Sequence, residues 1–376
     1  MVTVNAGEYI LEYPEEVVFA FSPVIIRVQR IEVINLTFAA VKIYKDGELR
    51  WNELREAARD GQTVFDVSRY LQMLLSSIEH SYIDYSKRVS YNPNFTKNVR
   101  VEVLIYTDEE VTESTKYEAM HVINFQPAWG CLDINEKLGG HATRTWFVNF
   151  PFTFDLYSKT NNYFDVYIDG KHDDQVFNIS TDQDGVNPNT FHPYLVNPGK
   201  LFEPPQRELY LSAYGCLHIC NGVVGTGVTS YKLRVDRSTS GVYLRWIDRQ
   251  GQYCYYLFKP GTETTKTNKD RTYIREEMIY PDRYTDNGLH KGDGNRIVKS
   301  VEASVTLVAP LVDSDTFDFL TSLLSSPVVD RFINSEGDAV RWQRVNISAG
   351  TVSKSAKKLQ DFTATIEIPN QNQQQL

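Results

Sequence analysis

Apolar residues along this chain recur mostly at every second position, the spacing of a half-buried strand. Val99, Val101, Val103 and Ile105 alternate in this way, and so do Phe362, Ala364, Ile366 and Ile368. The pattern predicts strands at Val17–Phe21, Val24–Arg30, Val41–Tyr44 and Val99–Tyr106, then at Trp146–Tyr157, Tyr163–Ile168, Glu208–Ala213, Tyr231–Val235 and Val301–Leu307. Two more close the chain, Val340–Ile347 and Leu359–Ile368. Helical spacing occurs twice. Val67, Tyr70, Leu71, Leu74, Leu75 and Ile78 form one stripe behind Asp66, a residue suited to an N-cap, which predicts a helix over residues 66–77. Phe317, Leu320, Leu323 and Leu324 form the other, starting near Ser314 and stopped by Pro327.

The densest aromatic stretch, GVYLRWIDRQGQYCYYLFKPG, runs from Gly241 to Gly261. Two β-prone runs, Val242–Ile247 and Gln252–Phe258, flank Asp248-Arg249-Gln250-Gly251, which is a hairpin signal. Val242, Leu244 and Trp246 then share one face, with Tyr243, Arg245 and Ile247 on the other. On the second strand Tyr253, Tyr255 and Leu257 oppose Cys254, Tyr256 and Phe258. Neither face is plainly polar, so both are expected to be covered, by a second sheet of this chain or by another subunit. Tyr243, Trp246, Tyr253 and Tyr255 are accordingly the candidate residues for packing or partner binding.

The expected fold class is mainly β: two β-sandwich-like domains, one or two short amphipathic helices, and a C-terminal segment of a helix and two strands. Residues 1–127 read as the first domain, 128–310 as a larger β-rich domain, and 311–376 as the C-terminal segment packed on one of them. The stretches STDQDGVNPN, KPGTETTKTNKDR and DRYTDNGLHKGDGN read as long polar loops.

Composition narrows the class. With 41% hydrophobic and 23% charged residues the chain is globular, and 23 Tyr and 19 Phe favour strands. A formal charge of −9 without a basic run argues against a nucleic-acid partner. No run of about 20 apolar residues is present to span a membrane. The N-terminus lacks the basic start and apolar core of a signal peptide, and Cys131, Cys216, Cys220 and Cys254 show no disulfide framework; synthesis in a reducing cytoplasm is the expectation.

Candidate chemistry is sparse. Cys216-Leu217-His218-Ile219-Cys220 places three metal-ligand types in five residues, but a strand there holds its ends about 13 Å apart, too far to share one zinc ion. Asp182-Gln183-Asp184-Gly185 begins like a calcium loop and lacks the later bidentate Glu. Asp169 to Asp174, with His172, reads as a hairpin turn. Nucleophile elbow, phosphate loop, dinucleotide fingerprint and zinc-protease helix are all missing. No catalytic residue, metal or cofactor is expected, and the chain does not read as an enzyme.

Several stretches carry a resemblance as a set: FAFSPVIIRV, WGCLDINE followed by TRTWFVNFPFTFDLY, LRWIDRQGQYCYYLF, and the C-terminal W-x-x-V-x-I and LQDFTATIEIPNQNQ. Together they resemble tail or baseplate structural proteins of bacteriophages and prophages of Bacteroides-type gut bacteria. The resemblance implies a virion component that forms a ring oligomer around the tail axis and contacts other tail or baseplate proteins. It implies no active site. The alternative is a carbohydrate- or receptor-binding β-sandwich protein, adhesin-like, with glycan as partner.

Overall fold

The structure is a computed structural model. It describes residues 1–31, 38–75, 83–91, 95–107, 110–112, 114–132, 136–159, 164–173, 191–220, 223–271, 298–337, 339–348 and 352–368. The protein is mainly β, with 24 strands and three helices among the described residues.

The N-terminal part runs β1 (Val2–Ala6), β2 (Tyr9–Tyr13), β3 (Val17–Phe19), β4 (Ile25–Arg30), β5 (Phe38–Lys45), β6 (Glu48–Glu56), β7 (Gln62–Asp66), α1 (Ser68–Leu75), β8 (Val89–Tyr91), β9 (Val99–Tyr106) and β10 (Ala119–Ala128). The middle follows with β11 (Lys137–Leu138), β12 (Gly140–Phe147), β13 (Phe154–Ser158), β14 (Phe164–Ile168), β15 (Lys171–Asp173), β16 (His192–Val196), α2 (Pro198–Leu201), β17 (Glu208–Cys220) and β18 (Val223–Asp236). The C-terminal part is β19 (Val242–Ile247), β20 (Tyr253–Arg271), β21 (Val298–Val312), α3 (Ser314–Ser325), β22 (Val329–Glu336), β23 (Ala339–Ile347) and β24 (Gln360–Ile368).

A four-stranded sheet, β1-β2-β4-β7, and a five-stranded sheet, β3-β10-β9-β5-β6, share one core. Leu11, Ile26, Val28 and Phe65 of the first meet Val41, Ile43, Val101, Val103 and Ile123 of the second. Helix α1 starts at Ser68, behind Asp66, and is described to Leu75; residues 76–77 of the expected helix and Ile78 lie outside the described residues. Asp66 Oδ1 accepts from Ser68 N at 3.0 Å and Val24 N at 3.3 Å, so the capping carboxylate also fixes β4.

The eight middle strands form a nine-stranded sheet together with β8, and the last six close a barrel in the order β19-β20-β21-β24-β23-β22. Both boundaries read from the sequence therefore fall inside paired strands: β10 runs through 127–128 and β21 through 310–311. β8 also crosses over to pair with β16. Ladder partners so distant in sequence leave no local signal.

Other expectations shift for local reasons. Trp146–Tyr157 is two strands, because Phe150 N turns back to Phe147 O at 3.0 Å and Pro151 has no N–H for a ladder. KPGTETTKTNKDR is no loop: it is the outer part of β20, its β-branched threonines laddered on β21. A third strand, β22, follows α3, so the C-terminal segment is a helix and three strands. The segments STDQDGVNPN, with Asp182–Gly185, and DRYTDNGLHKGDGN lie outside the described residues.

Candidate functional site: the aromatic hairpin and its surroundings

Asp248 makes the hairpin turn. Its Oδ1 accepts from Gln250 N and from Gln252 N, each at 2.9 Å, while Gly251 N donates to Asp248 O at 3.1 Å. Gly251 takes φ 80°, and a Cβ there would sit 2.5 Å from Trp129 O, so only glycine lets the tip close on the Trp129-Gly130 backbone. Cys131 N then donates to Arg249 O at 2.6 Å, tying the tip to the N-terminal part.

Both faces of the hairpin are buried within the chain. Val242, Leu244, Trp246, Cys254 and Phe258 point into the barrel, against Leu307, Phe317, Leu320 and Phe362. Trp246 Nε1 donates to Ser322 Oγ of α3 at 2.9 Å, satisfying the indole in an otherwise apolar interior. Tyr243, Ile247, Tyr253, Tyr255 and Leu257 face outward from the barrel into the core shared by the rest of the molecule. There Tyr243 stacks on Phe150 at 4.6 Å and donates to Pro151 O at 2.8 Å. Phe152 packs on Tyr255 at 5.3 Å, and Phe95 on Tyr253 at 5.9 Å. Exposures of 1% for Tyr243, 0% for Trp246, 5% for Tyr253 and 2% for Tyr255 leave no aromatic platform open to solvent on this hairpin.

Amid this apolar contact sits a buried charge that the sequence pattern did not single out. Arg245, 2% exposed, donates through Nε to Asp330 Oδ2 at 3.0 Å and through Nη1 to Tyr85 OH at 3.2 Å. Arg344 Nε reaches the other oxygen of Asp330 at 2.6 Å, and Trp342 lies 4.4 Å from the Arg245 guanidinium. Tyr85 OH shares a hydrogen bond with Tyr255 OH at 3.2 Å, which in turn meets Thr153 Oγ1 at 2.8 Å. Burial works against the Arg245 charge, but the Tyr85 and Tyr255 phenols and Asp330 outweigh it and raise the pKa. The group joins barrel strands β19, β22 and β23 to Tyr85 of the N-terminal part and Thr153 of the middle. A lone Arg between apolar neighbours in Tyr243–Ile247 was its one sequence signal.

Beside it, Asp155 is 2% exposed; one carboxylate oxygen accepts from Tyr253 N, and among the described residues Oδ1 meets no hydrogen-bond donor. Burial pushes its pKa well above the ordinary carboxylate value. Burial raises Asp248 as well, and it drives the Cys254 thiol up, which keeps that sulfur from acting as a thiolate nucleophile. A cleft of about 450 Å³ opens at the hairpin tip against α3, lined by Arg144, Asp248, Asp315, Asp318, Phe319 and Ser322 among others. The Arg144 guanidinium covers Phe319 at 4.2 Å.

The other sequence candidates lie elsewhere. Cys216, His218 and Cys220 follow a bulge in β17; Cys216 is in the core, and the His218 ring packs on Gly139 and Gly227. Among the described residues the four cysteines form no disulfide. Asp169 holds the backbone N–H groups of Gln206, Arg207 and Glu208 at 2.8–3.0 Å, a turn anchor. His172 Nε2 meets Asp165 Oδ1 at 2.8 Å across the β14–β15 hairpin. Among the described residues no cluster of three His, Cys, Asp or Glu could hold a metal, and no helix is long and apolar enough to cross a membrane.

No family model and no curated protein matches the chain. Among solved structures it is similar to a chain from work on host cell surface retention of a 1.5-MDa bacterial ice-binding adhesin. That match has 10% identity over 95% of this chain and 96% of the other, at a TM-score of 0.17. A second is a Ca²⁺-stabilized adhesin of an Antarctic bacterium, 9% identical over 96% of this chain and 73% of the other, at a TM-score of 0.18. Scores this low carry no argument about fold or role.

Proposed function

We propose that this chain is a non-enzymatic structural protein that works through protein–protein contact, a tail or baseplate component of a bacteriophage virion that assembles with its own copies into a ring. One observation supports it most. Beyond Phe258, where its pairing with β19 stops, β20 pairs with β21 instead, and Lys259 to Lys266 are exposed without exception. A strand that buries neither face draws little stability from its own chain. Such an arm suits coverage by a neighbour, and its lysines and Pro260 guard until then the edge that no strand pairs with among the described residues. The resemblance of the quoted strand motifs to tail and baseplate proteins points the same way.

The test is to place glutamate at Thr262, Thr264 and Thr265, all exposed on the arm. The variant is expected to melt like the parent yet lose its oligomer in light scattering and its incorporation into phage particles. A parent that is monomeric and missing from immunolabelled virions would sink the proposal.

A glycan-binding reading rests on the cleft at α3, whose carboxylates and hydroxyls surround Phe319. Glycan-array binding that Phe319→Ala abolishes would put it first.

A further inference from the structure

Asp155 of β13 stands where the nine-stranded sheet meets the barrel. Its backbone carbonyl accepts from Tyr231 OH of β18 at 2.9 Å, and one carboxylate oxygen accepts from Tyr253 N of β20. The other oxygen, Oδ1, is buried and meets no hydrogen-bond donor among the described residues. Leaving a buried carboxylate oxygen unmatched is costly, because such a group has given up its hydration, and buried polar atoms in native proteins are paired with protein or with ordered water.

The space beside it fits one kind of partner. Asp155 lines a cavity with Arg144, Thr153, Tyr231, Gln252 and Cys254 among others, in which the centre of a water molecule has about 10 Å³ to move. That is room for one water and for nothing larger. Charge selects the same occupant. An anion is repelled by Asp155 and by Asp248, whose charge is felt at the site. A cation would find Asp155 as the one carboxylate in the lining, with the Arg144 guanidinium already beside it. A water is neutral, and it donates to an ionised carboxylate oxygen as readily as it accepts from a protonated one. Thr153, Tyr231 and Gln252 supply further polar groups, which matters because a buried water needs about two to four partners.

We propose that this cavity is the site of one ordered water, bonded to Asp155 Oδ1, which completes the polar joint between β13 of the sheet and β20 of the barrel. Burial, which favours the protonated carboxyl, agrees with an oxygen shielded from bulk solvent and served by a single water. The joint lies within one chain, so it holds whether or not the chain assembles into a ring.

A crystal structure of the full chain that shows bound water is the first experiment. One peak at hydrogen-bonding distance from Asp155 Oδ1 is expected. A cavity without that peak overturns the proposal, and so does a peak whose anomalous scattering or bond lengths identify a metal ion. In solution, magnetic relaxation dispersion of water oxygen counts the internal waters that exchange slowly. Asp155→Leu, similar in shape and without polar atoms, is expected to show one fewer than the parent, since small apolar cavities stay dry. Equal counts in the parent and a folded Asp155→Leu overturn the proposal. The leucine also strips Tyr253 N of its acceptor, and if that variant fails to fold the crystal structure of the parent decides alone.

Discussion

β20 is one continuous strand with two unlike halves. From Tyr253 to Phe258 both of its faces are packed, one into the barrel and the other into the core of the rest of the chain. From Lys259 to Lys266 both faces are exposed, although the backbone is paired there too, with β21 in place of β19. Backbone pairing is therefore common to the halves, and what separates them is burial. The inner half stabilises the fold through apolar area and close packing, while the outer half adds hydrogen bonds of small net worth.

Substitutions in the two halves can break that contrast. The largest loss is expected for Trp246→Ala, about 3–5 kcal/mol from a cavity of indole size. That variant also leaves Ser322 without its donor, and urea unfolding followed by fluorescence measures the total. An unfolding midpoint near that of the parent would show that the barrel tolerates the loss and that the inner half is not what holds it.

Arg245→Met comes next, at about 3–5 kcal/mol, because it removes one partner of a buried pair and leaves Asp330 to Arg344 alone. Pairing it with Asp330→Leu should recover much of the loss, since two apolar groups need no solvation. A double variant no more stable than the single one would mean that Arg245 acts through its stacking on Trp342 and not through its charge.

A smaller effect concerns pH. Asp155 and Asp248 have folded-state pKa values raised above the ordinary 3.8, chiefly by burial. The folded state thus binds protons more tightly than the unfolded chain, and their contribution is fully present below pH 3.8 and lost as pH climbs through the raised values. Asp155→Asn should flatten part of that decline in melting temperature while leaving the acid side to the lowered Asp84, Asp169 and Asp313. An unchanged pH profile would mean that Asp155 is already neutralised by some other contact.

Least of all, Thr264→Ala on the outer half should change stability by no more than about 0.5 kcal/mol. A clearly larger loss in thermal melts of the isolated chain would mean that the arm is packed after all, and the comparison between the halves would fail.

Local pattern made the hairpin legible, including which residues share each face and that both faces needed cover. The alternation from Val242 to Phe258 carries that information, because successive side chains in a strand point opposite ways whatever surrounds them. The helix near Ser314 was equally readable from its apolar spacing and its stop before Pro327. The outer half of β20 was not, since Thr, Lys and Gly look alike in an exposed strand and in a loop. What only the tertiary structure decided is which surfaces supply the cover: α3 and β24 on one side, and Phe147 to Phe152 with Phe95 on the other. The same holds for the meeting of Arg245 with Asp330 and Tyr85, which lie 85 and 160 residues away along the chain. Periodicity reports the environment a residue requires; the partner that satisfies it is set by closing the barrel and docking it, through contacts whose sequence separation leaves no local trace.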